Sequence, residues 1–550
     1  MKGEESTMKE KEIYFSVLLV AVSIIIVLAK LVLEEVWLIP KRIRSVLEKQ
    51  GITGPKPSFP YGNISEMQRI QIQSQSHSDE SPSTSLSFSD PWLHSLFPYF
   101  NKWKQHYGPI YMYSTGIKQH LYIGKPELIK ELKLIKSLDL GRPTHLAKTL
   151  KALLGTGILG SNGPEWSFQR NLIAPEFFLT KVKKMVGFME ESTMTMIRTW
   201  ERRIIEFQRE GGKEIAEMVI DDDLKALTAD VISKACFGSS YDKGNQIFAK
   251  LATMQTALAK PSVLFGFLSL RSRFLPTKAN KDIGKLKEEV ETLILKAIND
   301  RVVENQKGSG NQNQKDFLQV ILENAATTFG NKHEEMKRFI VDNCKTIYFA
   351  GAESVSIAAT WTMMLLASHP QWQQRVRSEI LDTYGNIMSP NCFHDMGKFR
   401  NLKTLTMVIQ ESLRLYSPAV AASREALGEI KLREFVVPKG INIWLFIPEL
   451  HRDAEIWGPD ANEFNPERFA NGVSEACKYP QVYIPFGLGS RTCLGQTFAM
   501  VQLKIIISLL LSNFSFSLSP NYRHSPVYNL LLMPKYGVKL IVSRVQNVQA

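Results

Sequence analysis

One cysteine lies in a setting that suits a thiolate ligand for a metal ion. Residues 486–495 read F-G-L-G-S-R-T-C-L-G, and a long apolar run begins at Gln496. The three glycines of this stretch allow a bulky, flat partner to approach the backbone closely. The apolar run predicts a helix whose first amides favour negative charge, so the sequence predicts a lowered pKa for the Cys493 thiol. An inert core cysteine is the alternative, but the glycines and Arg491 beside it favour a ligand.

This stretch resembles the haem-binding loop of the cytochrome P450 family, whose pattern is F-x-x-G-x-R-x-C-x-G. The resemblance implies haem b as the cofactor and Cys493 as the proximal ligand of its iron. It also implies cofactor contacts for Phe486, Gly489, Arg491 and Gly495. A thiolate ligand donates electron density that favours O–O cleavage.

A second motif interrupts a predicted apolar helix over 334–368. Residues 349–356 read F-A-G-A-E-S-V-S, and the family pattern here is A/G-G-x-D/E-T, with serine in place of threonine. The resemblance implies that Glu353 and Ser354 relay protons during oxygen activation. The residues alone also allow two other readings: close helix packing at Gly351, or a hydroxyl that opens the helical hydrogen bonds and admits water.

Two further family motifs involve arginines. Glu411 and Arg414 share one face of a predicted helix, and the segment F-N-P-E-R-F supplies Arg468. The resemblance implies that these three form a buried network beneath the haem, which fixes geometry more than it adds stability. Without the resemblance, an i,i+3 pair of this kind is most often a solvated surface contact.

The segment E-W-S-F-Q-R matches the family's W-x-x-x-R helix. Trp166 and Arg170 are spaced i,i+4 and therefore share a helix face. The resemblance implies that both reach a haem propionate and that Arg424 is a further propionate contact. A core tryptophan beside a surface arginine is the reading that the residues alone would favour.

The substrate pocket is expected to be apolar and roomy. The segments L-L-G-T-G-I-L-G-S-N-G-P-E-W and F-A-G-A-E-S resemble the plant microsomal branch that oxidises terpenoids. This resemblance favours a gibberellin-type diterpenoid as substrate and leaves a triterpenoid open. By position in the family, the pocket is lined by Ala352, Ala419, Val420, Ala422 and Leu530.

Composition excludes several other classes of protein. The chain has 550 residues, a formal net charge of +13 and five cysteines. The cysteines are widely spaced without a C-x-x-C pair, which argues against a disulfide scaffold and against zinc. No basic run is interleaved with aromatic residues, so nucleic acid is not an expected partner. The basic excess suits an anionic membrane surface or an acidic redox partner.

The N-terminal region predicts a retained membrane anchor. The uncharged run that begins at Ile13 predicts a transmembrane helix over 13–33, preceded by a lumenal segment 1–12. The cations Lys41, Arg42 and Arg44 follow the span and place the body in the cytosol, as a single-pass protein of the endoplasmic reticulum membrane.

The remainder divides into a connector and one large domain. Residues 34–91 read as a basic, proline-rich hinge with a mobile Ser/Gln-rich loop over 71–90. Residues 92–545 are expected to form the haem-thiolate monooxygenase domain, with the mainly α cytochrome P450 fold and small β-sheets. Helices are predicted over 182–207, 217–237, 280–304, 334–368, 371–384 and 402–416, and strands over 110–113, 121–123, 441–446 and 538–542.

The resemblance implies insertion of one oxygen atom from O2 into an apolar substrate, with electrons from NADPH. Residues 155–160, G-T-G-I-L-G, fit a dinucleotide pattern, but no strand precedes them and no helix opens at their end. The electrons are therefore expected from a separate NADPH-cytochrome reductase. Two other functions stay open: a haem-thiolate isomerase or dehydratase that needs no reductase, and a non-catalytic membrane interaction protein.

Overall fold

The computed structural model describes residues 2–78, 92–209, 215–237, 241–258, 277–306, 317–385 and 392–545. The helices are α1 Lys2–Leu33, α2 Ile39–Glu48, α3 Ile64–Ser78, α4 Trp92–Leu96, α5 Pro98–Tyr107, α6 Pro126–Leu134, α7 Thr144–Thr149, α8 Lys151–Leu154, α9 Gly163–Ile173, α10 Leu179–Val182, α11 Val186–Arg209, α12 Asp221–Phe237, α13 Tyr241–Leu258, α14 Lys278–Gln306, α15 Phe317–Phe329, α16 His333–Ser368, α17 Pro370–Tyr384, α18 Met396–Asn401, α19 Lys403–Leu415, α20 Ile447–Leu450, α21 Ala454–Trp457 and α22 Gln496–Asn513.

The strands are short and form small sheets. They are β1 Ile110–Thr115, β2 Lys118–Ile123, β3 Leu140–Gly141, β4 Ile215–Val219, β5 Ala421–Ala426, β6 Ile430–Leu432, β7 Phe435–Val437, β8 Asn442–Phe446, β9 Phe514–Leu518, β10 Pro526–Asn529, β11 Leu531–Pro534 and β12 Lys539–Arg544. The largest sheet has the order β1-β2-β8-β5-β3, and a three-stranded sheet has the order β4-β12-β9. The predicted mainly α class with small sheets is confirmed.

One predicted helix begins too early. The sequence predicts helix over 217–237, whereas residues 215–219 form β4 and helix α12 starts at Asp221. Burial alternates residue by residue along β4, as expected for a strand with one face packed on the core. Strand β12 pairs with β4 in the register Ile541↔Glu217. The tertiary pairing partner, more than 300 residues away, decides this element.

Helix α16 runs through the core and orients the middle of the molecule. Its first turn carries Glu334 and Glu335, which suit the helix N-terminus, and it ends one residue before His369-Pro370. From Val355 to Ala367 every residue is buried. A helix that is buried on all sides carries no polar face, which explains its apolar sequence.

Three helical stretches among the described residues are long and apolar enough to cross a membrane. The stretch Tyr14–Glu48 is 0% buried across its apolar window, whereas the windows of α16 and α22 are 78% and 67% buried. The two buried helices are core elements. The exposed N-terminal helix fits membrane anchoring, as the sequence predicts.

The start of the predicted hinge over 34–91, which follows this helix, packs on the body. A π-helical turn, Glu34–Leu38, joins α1 to α2. The Arg44 guanidinium donates to the carbonyls of Gly54 and Pro55, and Gln50 exchanges two hydrogen bonds with the backbone of Val436. These long-range contacts order the segment.

The structure differs in part from the mobile Ser/Gln-rich loop that the sequence predicts over 71–90. Residues 71–78 form the last two turns of α3, and residues 79–90 lie outside the described residues. The start of α3 is anchored, since Met67 and Ile70 are buried in the core. Packing of these apolar side chains stabilises the helix, so it continues through the polar residues that follow.

Candidate functional site

The loop before α22 presents Cys493 on a tight backbone turn. A 3₁₀ turn spans Gly489–Arg491, and the Cys493 amide donates to the Phe486 carbonyl at 2.7 Å. Gly487 and Gly489 have φ values of +77° and +65°, a region that favours glycine. Gly495 is the N-cap residue of α22, and its amide donates to the Cys493 sulfur.

Burial raises the pKa of the Cys493 thiol, so the lowered value expected from the sequence is wrong for this protein. The Gly495 amide and the cations Arg170 and Arg142 oppose the shift without overcoming it. The residue is nevertheless accessible. Cys493 is therefore not sealed in packed core, and it remains available to a partner.

Four arginines converge near this thiol: Arg142, Arg170, Arg424 and Arg491. Burial lowers the pKa of Arg424 to about 9, with Arg142 adding to the shift. Burial also lowers the pKa of Arg491 to about 9, and repulsion from the other three adds to it. None of the four forms an ion pair with a carboxylate among the residues that the structure describes. A buried cation normally needs a counter-charge, so this cluster is suited to an anionic ligand.

Backbone carbonyls hold the cluster in place. Arg170 Nη1 donates to Thr492 O at 3.0 Å, and Arg424 Nη2 donates to Leu488 O at 2.8 Å. The Arg491 guanidinium lies 4.2 Å from the centroid of the Trp166 ring, and that of Arg170 lies 5.8 Å from it. The structure therefore brings both residues of the predicted W-x-x-x-R helix to the cysteine loop.

Arg142 was missed by the sequence analysis. It follows β3, whose Gly141 pairs with Glu425 in β5, so the strand pairing sets Arg142 beside Arg424. The sequence around it, G-R-P-T-H, has no feature that distinguishes this arginine from a surface cation. Only a contact over more than 280 residues reveals it.

The three predicted network residues do meet. Arg414 binds Glu411 through two contacts of 2.6 and 2.7 Å, and both side chains are fully buried. Arg468 Nε lies 3.4 Å from Glu411 Oε1, and its Nη2 lies 2.5 Å from Asp460 Oδ2. The third Arg414 nitrogen, Nη1, donates to the carbonyls of His451 and Ala461 at 2.6 Å each. Each charge has an opposite charge, which is the condition for burying an ion pair.

In the middle of α16, the acid and the hydroxyl have different partners. Glu353 is 6% exposed, and one of its oxygens lies 2.5 Å from the ammonium group of Lys225 on α12. Ser354 Oγ donates to Ala350 O at 2.7 Å, and the helix is continuous there. A side chain at Gly351 would meet Ile232, so close helix packing is confirmed at this glycine.

The predicted pocket residues fall in two places. Val420 and Ala422 lie at the start of β5 beside the β10–β11 hairpin, because Leu532 N donates to Pro418 O at 2.8 Å. Leu530 is at the hairpin tip with φ +63°, an uncommon conformation for this residue type that often marks a functional position. Ala419, half-buried, lies in the same segment.

Ala352 lines a separate cleft of about 210 Å³ between α12, α13 and α16. Lys225 and Glu353 also line this cleft. Gln255, a further lining residue, donates to the carbonyl of Asn529 beside the hairpin tip at 3.3 Å. That hydrogen bond connects the two groups of predicted pocket residues.

An accessible thiol at a helix N-terminus, beside four buried or half-buried arginines without a described counter-ion, fits one kind of cofactor. The donor set offers one sulfur for a metal and several cations for carboxylates, which are the groups that a haem-thiolate protein provides to iron and to the propionates. When bound, haem supplies the oxygen chemistry.

Comparison with known proteins agrees with this class. The sequence profile of the cytochrome P450 family matches residues 86–542. "Cytochrome P450 714A2" of Arabidopsis thaliana is 48% identical over 91% of this chain and 93% of its own length. "Cytochrome P450 714C2" of Oryza sativa subsp. japonica is 49% identical over 92% and 94%, and "Cytochrome P450 714B3" of Zea mays is 43% identical over 93% of each. The chain belongs to the cytochrome P450 family and is a haem-thiolate monooxygenase of the plant branch.

Proposed function

We propose that this protein is a membrane-anchored monooxygenase that inserts one oxygen atom into a terpenoid, with a gibberellin-type diterpenoid as the favoured substrate. The single observation that carries the catalytic part is the accessible Cys493 thiol beneath a cluster of unbalanced arginines. The terpenoid part rests on the likeness of residues 153–166 and 349–354 to the plant terpenoid-oxidising branch.

Each group of site residues has a distinct part in this proposal. Cys493 ligates the iron, while Phe486, Gly489 and Gly495 shape the loop that carries it. The cations of the cluster, including the predicted Arg170, Arg424 and Arg491, bind the propionates together with the Trp166 ring. Glu411, Arg414 and Arg468 hold the backbone on which the loop is built.

Glu353 and Ser354 move protons in this proposal. The Lys225–Glu353 ion pair lines the cleft between α12, α13 and α16. The lysine side chain is 39% exposed and the glutamate side chain is 8% exposed. Protons therefore have a short path from solvent to the buried carboxylate. The Ser354 hydroxyl is one residue further along the helix and is accessible.

The test is incubation of microsomes that hold this protein and a plant NADPH-cytochrome reductase with a panel of diterpenoids and triterpenoids. Mass spectrometry should show an NADPH-dependent gain of one oxygen on a diterpenoid. Products from a triterpenoid alone would overturn the preferred substrate. Turnover without reductase or NADPH would instead indicate an isomerase or dehydratase, and protein without bound haem would leave only the interaction role.

The reductase is proposed to dock beside the cysteine loop. Helix α6 packs on this loop, since a side chain at Gly489 would lie 3.4 Å from the carbonyls of Leu132 and Lys133. Lys130, Lys133 and Lys136 are exposed there and suit an acidic partner. Lys133→Glu should slow electron transfer from the reductase at low salt and converge with wild type at high salt, whereas an unchanged rate would argue against this face.

We place the body on the cytosolic side of the endoplasmic reticulum membrane. Lys41 and Arg42 are exposed after the apolar helix and support this orientation. Glycosylation of the sequon Asn63-Ile64-Ser65 would indicate a lumenal body, but it is an unsuitable test. Asn63 is 1% exposed, and its side chain bonds Lys56 O and Ser114 N. Protease protection of intact microsomes is the better test, and a protected body would refute the orientation.

A further inference from the structure

We propose that Asn162 is the positioning residue of the arginine cluster and thereby sets how tightly the protein retains haem. The proposal rests on the haem assignment of the cluster. It concerns a residue that lies one position before α9 and that carries no charge and no chemistry of its own.

The Asn162 side chain joins two of the four arginines. Its Oδ1 accepts from the Arg142 amide and from Arg491 Nη2, both at 2.8 Å. Its Nδ2 donates to the Arg142 carbonyl at 2.9 Å. One neutral side chain therefore fixes the backbone of one cation and the guanidinium of another, although the two repel each other.

Two neighbours hold Asn162 itself in place. A side chain at Gly141 would lie 2.8 Å from Asn162 Oδ1, so glycine leaves room for the amide between the strand and the loop. The preceding residue, Ser161, is buried and accepts from Arg491 Nη1 at 3.2 Å through its carbonyl. The asparagine and its neighbour together use two nitrogens of the same guanidinium.

The other end of this loop is fastened to the core helix. Thr156 donates through its amide, at 2.7 Å, and through its hydroxyl, at 3.1 Å, to Asp342 on α16. Gly155, with φ +57°, has no side chain that would collide with this carboxylate. The glycine-rich stretch that imitates a dinucleotide motif thus binds a carboxylate of its own chain, and it carries Asn162 to the arginines.

The physical reason for the proposal is the unbalanced charge. The four clustered cations, of which Arg424 is buried and the others are half-buried, repel one another and have no described counter-ion, so neutral acceptors are needed to hold them. A bidentate contact to a carboxylate depends on the direction of the guanidinium. Asn162 is neutral, so it orients the arginines and leaves their charge available to the propionates. A carboxylate at this position would compete with them.

The experiment measures release of haem from the full-length holoprotein to excess apomyoglobin, followed by absorbance. Asn162→Ala should release haem about tenfold faster than wild type, and Asn162→Ser, with one shorter acceptor, should fall between them. The matched control is Asn63→Ala, which removes a buried asparagine with the same two kinds of hydrogen bond far from the cluster. It should release haem at the wild-type rate even where it lowers the midpoint of unfolding.

A double-mutant cycle separates positioning from general loss of structure. In an Arg491→Lys background, Asn162→Ala should change the release rate by clearly less than tenfold, because the guanidinium that it directs is already gone and only its hold on the Arg142 backbone remains to be lost. An equal tenfold effect in both backgrounds would overturn the proposal, as would an equal effect of Asn63→Ala. If none of the proteins binds haem, the haem assignment fails, and that outcome is distinct from the failure of Asn162 alone.

Discussion

Two groups of buried or half-buried arginines lie in this protein, and they are held in opposite ways. Arg414 and Arg468 meet carboxylates of the same chain, Glu411 and Asp460. The cluster around Arg491 is held by backbone carbonyls and one neutral asparagine, with no carboxylate partner among the described residues. The first group is electrically complete, whereas the second is complete only with an anionic ligand.

The difference shows how buried charge distinguishes a structural site from a ligand site. A paired network is costly to break, because removing one member leaves the other buried without a counter-charge. In an unpaired cationic cluster the cations repel one another. Removing one of them therefore relieves that repulsion in the free protein but weakens the binding of the anionic ligand. Each group therefore predicts its own response to mutation.

The largest effect is expected in the paired network. Glu411→Ala leaves Arg414 buried without its bidentate partner, so the free energy of unfolding should fall by about 3–5 kcal/mol and haem incorporation should be lost. Chemical denaturation and haem absorbance measure both. The control is Glu467→Ala, which removes a surface pair with Arg375 whose side chains are 50% and 51% exposed and should cost under about 1 kcal/mol. A spectroscopically normal Glu411→Ala or Arg414→Ala holoenzyme would contradict the structural role.

Acid should attack the same network through His451. Its Nε2 accepts from Ile484 N at 3.0 Å, so its Nδ1 carries the proton and donates to Arg414 O at 3.1 Å. Burial, with Arg414 adding to it, lowers the pKa of His451 to about 3. The unfolded chain therefore takes up a proton near pH 6.5 that the folded state refuses, and stability falls as the pH drops below that value.

The expected loss from His451 is about 2 kcal/mol between pH 6.5 and 4.5, since the slope rises to about 1.4 kcal/mol per pH unit only once the pH is well below 6.5. Unfolding titrations at both pH values measure it. His451→Gln should be less stable at neutral pH but should lose less stability on acidification. The exposed His106→Gln should keep the wild-type profile, and an unchanged profile for His451→Gln would refute the assignment.

The arginine cluster should respond in the opposite sense to the network. Arg491→Gln removes one of four mutually repelling cations, so unfolding of the apoprotein should change by less than about 1 kcal/mol or become harder. Haem release from the holoprotein should be faster by about tenfold or more. A strongly destabilised apoprotein with normal haem retention would erase the distinction between the two groups.

The smallest effect is expected at Ser354, which belongs to neither group of arginines. Its hydroxyl bonds Ala350 O at 2.7 Å, and threonine would add a methyl group that restricts the same rotamer. Ser354→Thr should raise the amount of substrate oxidised per NADPH consumed, by less than about twofold, with less peroxide formed. An equal amount of substrate oxidised per NADPH consumed in both proteins would show that serine at this position does not reduce coupling.

Much of the site could be predicted because its motifs are local. Cys493, Arg491 and the flanking glycines lie within ten residues, and Glu411 with Arg414 lie within one helical turn. Such groups come together through backbone geometry alone, whatever the rest of the chain does. The long helix α16 was predicted for the same reason, since its ends carry helix-start and helix-stop residues.

The features that the sequence did not predict depend on contacts with residues far away in the chain. Arg142 reaches the cluster only through the pairing of β3 with β5, and β4 exists only because β12 pairs with it. Lys225 meets Glu353 because α12 crosses α16. Residues 71–78 are helical because the start of α3 is packed, although their composition is that of a loop.

The sequence by itself determined the family, the helical class and the apolar N-terminal helix, and it predicted Cys493 as the ligand, because each of these is written in neighbouring residues. Only the tertiary structure decided the state of the charges: that the thiol pKa is raised by burial, that four arginines share one space, and that Asn162 holds two of them. The physical reason is that burial and Coulomb repulsion depend on distance in space, which the order of residues does not specify.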